Sequence, residues 1–308
     1  AAALAVKLLG KHPKFLDKMV RLVKPKDLIE TIGLTRHITR PYLPQDYKRD
    51  TGPYTVEQVV HVEASWHHSK GKGVVEETQF IESLVFGADT VKLGGIVATA
   101  DPRDRNFKKI LKLHHQASPH FRGIRKMASF HEDKEIHAWT DEPQLYRNKK
   151  FLKGFEVLSQ YNLSFDAWVY STQLEDVIYL AKQFPETSIV LDHLGTPAGL
   201  FGPIGANTGM TQTARENIFF RWKDDLAELA SCPNVYTKMS GLFMPVLGHR
   251  FHKEGRLASK QEVFDLAHPM ITHALACFGT YRVMFASNFP MDSVSTSLVN
   301  IIDAFSDV

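Results

Sequence analysis

The stretch RVMFASNFPMD, residues 282–292, contains the pattern on which the fold of this chain is argued. It opens with an apolar run, residues 283–285, that predicts a buried strand. It then breaks into polar residues, Ser287 and Asn288, and reaches a carboxylate at Asp292. In a parallel barrel, polar residues that end a buried strand are typical of a functional site at the carboxyl ends of the strands.

Six stretches upstream have the same strand-like character. They are VVHVEA (59–64), GGIVATA (94–100), FRGIRKM (121–127), SFDAWVY (164–170), SIVLDHLG (188–195) and VYTKMSGL (235–242). Between them lie helical patterns with apolar residues every three or four positions, such as RNFKKILKLHHQA and LEDVIYLAKQF. This alternation predicts βαβ units and a parallel sheet. No glycine loop of the phosphate-binding type follows any strand, which excludes the usual open-sheet nucleotide site.

A closed (β/α)8 barrel needs eight strands, and the sequence shows seven. We therefore expect a distorted (β/α)8 TIM barrel of the α/β class whose first strand lies upstream of Ala1 and whose last helix is cut short. Residues 51–308 are assigned to the barrel, and residues 1–50 to a basic helical arm and extended segment. The apolar spacing of Phe15, Met19 and Leu22 gives the arm a face to pack over the barrel mouth or against a second subunit.

Composition limits the possible function classes. The chain has 308 residues, 44% of them hydrophobic, and a net charge of +3. The two cysteines lack metal-ligand spacing, which argues against a disulfide scaffold and favours a reducing, cytoplasmic location. No apolar run reaches the roughly 18 residues of a membrane span, and no nucleic-acid motif accompanies the basic arm. We expect a small-molecule substrate, no nucleic-acid or membrane partner, and leave a homo-oligomer open.

Polar residues at the strand ends supply the candidate site. The catalytic candidates are Glu63, His193, Asn288 and Asp292, and the substrate-binding candidates are Arg122, Arg125, Trp168, Lys238 and Ser287. A role for Glu63 as an ion-pair partner of a buried cation is equally open, because charges inside a barrel are nearly always paired. Asp166 is assigned to packing or pairing at the base of the barrel. The histidine pairs at 67–68 and 114–115 are predicted to be poor chelators on the surface, since neighbours point to different faces.

The segments HVEA, FRGIR, VLDHLGTP, KMSGL and MFASNFPMD, in this order and spacing, resemble the amidohydrolase-2 family over roughly residues 40–305. This is the lactonase branch of the metal-dependent TIM-barrel hydrolases, with enzymes similar to 2-pyrone-4,6-dicarboxylate lactonase and sugar lactonases. The resemblance implies hydrolysis of a cyclic ester, with His193 holding or polarising the substrate carbonyl and Arg122 and Arg125 as candidates for binding a carboxylate or an oxyanion.

The resemblance also implies one divalent metal ion, Zn or Mn, while leaving a metal-free mechanism open. The HxH motif of the family's first strand is absent from this sequence. His193 is then the remaining candidate metal ligand at the strand ends.

One position departs from the family pattern. Relatives end the last strand in Ser-Asp-Trp-Pro, whereas this chain has Asn288 in place of the aspartate. An amide cannot act as a general base, so proton transfer has to move to Asp292, Glu63 or His193. Three hypotheses follow: a lactonase-type hydrolase, a metal-dependent decarboxylase on the same barrel, or a ligand-binding member that has lost catalysis.

Overall fold

Seven parallel strands form one sheet in which each strand is hydrogen-bonded to the next along the chain. The computed structural model describes residues 25–34, 37, 40–87 and 89–308. The strands are β1 (Gln58–Val62), β2 (Lys92–Thr99), β3 (Phe121–Arg125), β4 (Ser164–Ala167), β5 (Ile189–Leu191), β6 (Val235–Met239) and β7 (Val283–Phe285). All seven strands predicted from the sequence are confirmed, and the sheet curls into an incomplete barrel.

Helices fill the crossovers between successive strands, as the alternating pattern predicts. The helices are α1 (Lys26–Ile32), α2 (Pro44–Asp50), α3 (Val75–Glu82), α4 (Phe107–Ala117), α5 (Lys149–Ser159), α6 (Leu174–Gln183), α7 (Gln212–Ala230), α8 (Phe251–Glu254), α9 (Lys260–Phe278) and α10 (Leu298–Ser306). None of the described helices is long and apolar enough to span a membrane.

Packing of α5 on the sheet fixes which face of β4 points into the barrel. Phe151 and Phe155 lie four residues apart, on one face of α5. Both rings contact Phe165 of β4, with ring centroids 5.9 and 5.0 Å away. Because successive strand residues point to opposite faces, Asp166 is directed away from the helices and into the barrel. A slip of one residue would bury the carboxylate against α5, so this aromatic packing determines the register.

The two edges of the sheet carry apolar side chains. Val60 of β1 is 57% exposed, and Met284 and Phe285 of β7 are 37% and 42% exposed. The sequence predicts a buried strand at 283–285; the structure differs because β7 is an edge strand and has a neighbour only on the β6 side. Within the described part of the chain no eighth strand closes the gap between β1 and β7.

Helix α1 lies against loops at the carboxyl ends of the strands. The Oγ1 atom of Thr31 accepts a hydrogen bond from the backbone N–H of His137, which follows β3. Asp27 and His137 also form an ion pair, with 2.6 Å between Oδ2 and Nδ1. At the end of the helix Gly33 packs against Pro245, which follows β6. Residues 1–24 of the predicted arm, with its apolar face, lie outside the described residues, and the boundary at residue 50 stays a prediction.

Candidate active site

Five charged side chains from five strands form an ion-pair chain at the carboxyl ends of the sheet, here called the paired cluster. Its members are Glu63, Arg125, Asp166, Asp192 and Lys238. The Arg125 Nε donates to Glu63 at 2.8 Å, and its Nη1 donates to Asp192 at 3.0 Å. The Lys238 ammonium donates to Asp192 at 2.8 Å and also to Asp166. Charges of opposite sign thus alternate along the whole cluster.

This alternation explains why the cluster tolerates burial. Burial raises the pKa of Glu63, but the charge of Arg125 and the hydrogen bonds from Ser65, Arg125 and Thr99 together outweigh it, and the pKa is lowered. Asp192 faces both cations, which hold its pKa well below the usual range despite burial. Asp166 lies at one end of the paired cluster, and burial raises its pKa to about 6; the charge of Asp192 acts in the same direction, while Lys238 and Arg125 offset only part of the shift. A buried carboxylate is stable in ionised form only where cations compensate its lost hydration.

Arg122 stands apart from the paired cluster. Its side chain is exposed and donates to the backbone carbonyls of Pro119 and Phe121, at 2.7 and 3.0 Å. Positions 122 and 125 are three apart on β3, and an odd spacing puts two side chains on opposite faces of a strand. Only Arg125 faces the barrel interior. The structure therefore does not bring Arg122 to the predicted substrate site.

His193 follows β5 in a short turn with positive backbone φ, 56°. Its Nδ1 lies 2.8 Å from the hydroxyl oxygen of Ser240. Burial lowers the pKa of His193 to about 4, so the imidazole is neutral at neutral pH. The Trp168 ring meets the imidazole edge to face at 5.9 Å, and its indole N–H donates to Thr196 at 3.0 Å. A neutral imidazole held in this way can accept or donate one hydrogen bond.

Asn288 and Asp292 occupy the carboxyl end of β7, here called the β7 corner. The side-chain amide of Asn288 donates to Asp292 Oδ1 at 2.9 Å. Asp292 is buried, and its Oδ2 has no hydrogen-bond partner of good geometry among the described residues. Burial raises the pKa of Asp292 to about 8, although Asn288 and nearby backbone of Phe243 and Gly241 act in the opposite direction. No cation contributes among the described groups, in contrast to the paired cluster.

Gly241 connects His193 to the β7 corner. Its φ is 65°, and a Cβ at this position would lie 2.5 Å from His193 Cγ. The same backbone segment lies close to the Asp292 carboxyl. A neutral imidazole and a carboxyl of raised pKa therefore pack against one short stretch of main chain after β6. Glycine is required here because a side chain would both strain the backbone and displace the imidazole.

Two residues at the site escaped the sequence prediction. Thr99, the last residue of β2, donates a hydrogen bond to Glu63 Oε2 at 3.0 Å. The hydroxyl oxygen of Thr196 accepts a hydrogen bond from the Trp168 indole N–H. The strand-end rule could have found Thr99, whereas Thr196 lies beyond the strand in a turn with positive φ. Ser287 lies half-buried after β7, close to Tyr47 of α2.

Metal-ligand geometry occurs away from the paired cluster. Within the described ranges, one group of at least three side chains has ligand atoms close enough to hold a metal ion: His67, His68 and Glu76. His67 and His68 are exposed, as predicted, but the expectation that neighbouring rings point to different faces does not hold for this pair, because the loop turns both rings toward the same carboxylate. His193 is not part of any such group in the described residues, so the described donors at the strand ends do not form a metal site by themselves.

The second histidine pair divides between core and surface. His115 is exposed, as predicted. His114 is fully buried, which corrects the surface prediction. Its Nδ1 lies 2.8 Å from the Thr78 hydroxyl and its Nε2 lies 3.1 Å from the Thr99 carbonyl. Its helix presents it to β2, so two hydrogen bonds satisfy the ring inside the core.

Similarity to known proteins agrees with this architecture. The sequence is 31% identical to uncharacterized protein y4mH of Sinorhizobium fredii, over 88% of this chain and 80% of that protein. It is 25% identical to L-fucono-1,5-lactonase of Burkholderia multivorans, over 72% of this chain and 65% of that protein.

Two crystal structures share the fold at low sequence identity. An amidohydrolase from Burkholderia multivorans with bound Zn matches with a TM-score of 0.67 at 21% identity, covering 88% of this chain and 81% of that chain. A Pseudomonas putida protein described as a 2-pyrone-4,6-dicarboxylic acid hydrolase matches with a TM-score of 0.55 at 17% identity, covering 90% and 86%. The amidohydrolase family model matches residues 41–306. The chain therefore belongs to the amidohydrolase family.

Proposed function

We propose that this protein hydrolyses a lactone or a related cyclic ester of a carboxylated small molecule. Family membership supports hydrolysis, and the L-fucono-1,5-lactonases among its relatives support a lactone as the bond that is broken. The observation that carries the proposal is that neutral His193 and the raised-pKa carboxyl of Asp292 both lie against the main chain at Gly241. These are the two kinds of group that ester hydrolysis needs.

Hydrolysis of a cyclic ester needs three events: water loses a proton as it attacks the carbonyl, the carbonyl oxygen gains charge, and the ring oxygen is protonated as it leaves. In the ionised form Asp292 accepts the proton of the attacking water. The protonated carboxyl then returns that proton to the leaving ring oxygen. A pKa near 8 suits both transfers, because efficient acid–base catalysts titrate close to the working pH.

Asn288 and His193 complete this assignment. The Asn288 amide holds one oxygen of Asp292 at 2.9 Å and leaves the other available. We assign to neutral His193 the hydrogen bond to the substrate carbonyl, with its tautomer set by Ser240. Asn288 thereby orients a base instead of acting as one, which reconciles the amide with hydrolysis.

The paired cluster has a different role in this proposal. Its carboxylates are bound to cations, so Glu63 is assigned to holding Arg125 and not to proton transfer. Arg125 lies over Trp168, 5.8 Å from the ring centroid, and the two side chains form a wall beside His193. We assign substrate-carboxylate binding to this wall together with Lys238 and Ser287.

The test is a pH-indicator assay of hydrolysis on a panel of carboxylated and sugar lactones. We expect turnover by the wild-type protein and a 10²- to 10⁴-fold lower kcat for Asp292→Asn, the usual size of a lost acid–base step. His193→Ala is expected to lower turnover by well over tenfold. Asp176→Asn is the matched control: this buried aspartate pairs with Arg147 and lies on α6, so its loss should leave kcat within about twofold.

Two results would count against the proposal. One is the absence of turnover on every lactone by folded wild-type protein. The other is an Asp292→Asn variant that keeps the wild-type kcat. Repeating the assay with a chelator tests the divalent ion, Zn or Mn, that the family resemblance implies.

A further inference from the structure

The loop after β1 brings two imidazoles and a carboxylate together outside the candidate active site. His67 and His68 belong to this loop, and Glu76 lies in the first turn of α3. The His68 Nδ1 is 2.8 Å from Glu76 Oε2, and the His67 Nε2 is 3.6 Å from the same oxygen. One ligand atom from each residue fits within a mutual distance of 4.8 Å. The sequence pattern had assigned both histidines to the surface without a function.

The ligand chemistry of this group matches one class of ion. Two imidazoles with one carboxylate form a common ligand set for Zn²⁺ and neighbouring transition metals, whereas Ca²⁺ and Mg²⁺ prefer oxygen ligands alone. Tetrahedral bonds of about 2.0–2.1 Å put ligand atoms roughly 3.3 Å apart. The separations of 2.8 and 3.6 Å lie on either side of that value. We propose that His67, His68 and Glu76 bind one divalent ion of the Zn²⁺ class, with a fourth position left for water.

Neighbouring groups hold the three ligands in place before an ion arrives. Gly73 packs directly on His68: a Cβ there would lie 2.8 Å from the His68 Cβ. Glu77 anchors the base of the loop by accepting the Ala64 N–H at 2.7 Å and contacting His61 Nε2 at 3.1 Å. This arrangement reduces the ordering cost of binding, because the loop already has the conformation that the ion needs.

The ligands are accessible as well as positioned. The side chains of His67, His68 and Glu76 are 63%, 54% and 43% exposed, so an ion can enter from solvent. The site shares no residue with the paired cluster or the β7 corner, and it does not depend on lactone hydrolysis.

Trp66 provides an optical signal for the site. Its indole N–H donates to Glu76 Oε2 at 3.2 Å, and its ring lies 4.9 Å from the His67 ring. An ion bound to this carboxylate would lie beside the indole. Paramagnetic Ni²⁺ at the site should therefore quench the Trp66 fluorescence. The other three tryptophans of the chain lie elsewhere in the sequence, and their fluorescence should be quenched less.

The primary test is calorimetric titration of chelator-treated full chain with Zn²⁺, in a buffer that does not bind metal. We expect one ion per chain. His67→Ala, His68→Ala and Glu76→Gln should each weaken binding at least tenfold, in line with the loss of a direct ligand. His115→Ala is the matched control, because His115 is an exposed histidine outside the group. Circular dichroism confirms that each variant is folded.

Two calorimetric outcomes would overturn the proposal. The first is no binding by the wild-type chain up to about 100 µM Zn²⁺, an affinity too weak for a built site. The second is unchanged affinity in all three ligand variants, which would place the ion elsewhere.

The fluorescence arm locates the ion independently. Trp66→Phe should remove most of the Ni²⁺ quench while keeping the calorimetric affinity within about threefold, because the indole is a neighbour and not a ligand. Quenching that persists in a His67→Ala, His68→Ala double variant would contradict the assignment. Neither readout requires turnover, so failure of this proposal and failure of the lactonase proposal can be distinguished.

Discussion

The paired cluster and the β7 corner lie at the same end of one sheet, yet the pKa values of two equally buried carboxyls, Asp192 in the cluster and Asp292 in the corner, are shifted in opposite directions. In the paired cluster Asp192 contacts two cations, and its pKa is held well below the usual range. In the β7 corner Asp292 is equally buried but has an amide as its side-chain partner, and its pKa rises to about 8. The difference between the two carboxyls is the presence of compensating charge.

This contrast suits the paired cluster to a structural role and the β7 corner to proton transfer. A carboxylate bound to two cations stays ionised over the working pH range, and it cannot exchange a proton with water or substrate. A buried carboxyl without a cation changes protonation near neutral pH, so it can accept and return a proton.

Removing the central cation should have the largest effect. Arg125→Ala leaves Glu63 and Asp192 buried without their shared partner. Breaking a buried ion pair in this way costs about 3–5 kcal/mol of unfolding free energy. Urea denaturation measures the change. Arg122→Ala is the control on the same strand, where an exposed arginine bonds only to backbone carbonyls, and it should stay within about 0.5 kcal/mol. Equal losses in the two variants would mean that the paired cluster does not stabilise the fold.

A smaller effect is expected where the two regions meet the imidazole. Gly241→Ala forces a Cβ within 2.5 Å of His193 and strains a backbone with φ of 65°. The loss of unfolding free energy should be the sum of about 1 kcal/mol from backbone strain and about 1–3 kcal/mol from overpacking. Gly255→Ala isolates the strain alone, because its φ is 72° but a Cβ there would meet nothing within 4 Å.

Measuring kcat distinguishes Gly241→Ala from Gly255→Ala more clearly than measuring stability does. Gly241→Ala should also lower kcat, since it displaces His193, while Gly255→Ala should leave kcat unchanged. If both variants lose the same stability and both keep full turnover, the Gly241 segment does not position His193.

The next prediction makes the β7 corner resemble the family pattern. Asn288→Asp places a second carboxyl beside Asp292, and two adjacent buried carboxyls cannot both ionise without a cation. We expect a loss of about 1–3 kcal/mol from the missing amide hydrogen bond and at least a tenfold drop in kcat. Asn288→Ala removes the same bond without adding charge and serves as the comparison. A large gain in lactone hydrolysis by Asn288→Asp would show instead that the amide marks decayed catalysis.

Much of the fold could be predicted from the sequence because strands and helices alternate with clear apolar periods. Each apolar run is followed by polar residues, and the carboxyl ends of parallel strands meet at one edge, so the convergence of Glu63, Arg125, Asp192 and Lys238 followed from that rule. The rule does not say which face a side chain takes. Arg122 and Arg125 look alike in sequence, and only the register of β3 separates them.

Loop geometry and the balance of charge around buried groups could not be predicted from the sequence. The convergence of His67 and His68 on Glu76 depends on turns after β1, where Ser65 has positive φ, and no periodicity reports such turns. The raised pKa of Asp292 arises because the described groups around this buried carboxyl include no compensating cation, and composition cannot show which groups surround a residue. The burial of His114 was missed for a similar reason: its two hydrogen-bond partners, Thr78 and Thr99, come from other segments of the chain.

The most direct test of the central claim is the unfolding free energy of wild-type protein and Asp292→Asn as a function of pH. Folded Asp292 keeps its proton up to about pH 8, while the unfolded chain loses it near the ordinary value of 3.8. The folded state therefore binds the extra proton in this window, and wild-type stability should fall as pH rises. The slope from this one group is about 1.4 kcal/mol per pH unit.

Asp292→Asn removes that term, so its stability relative to wild type should rise by about 1.4 kcal/mol per unit between about pH 5 and pH 7. Glu63→Gln is the comparison variant. The pKa of Glu63 is lowered from 4.5, so this group is ionised in both the folded and the unfolded state above about pH 5, and the stability of the variant relative to wild type should not rise between pH 5 and pH 7. Parallel stability curves for wild type and Asp292→Asn would show that Asp292 ionises normally, and they would contradict its assignment as the proton-transfer group.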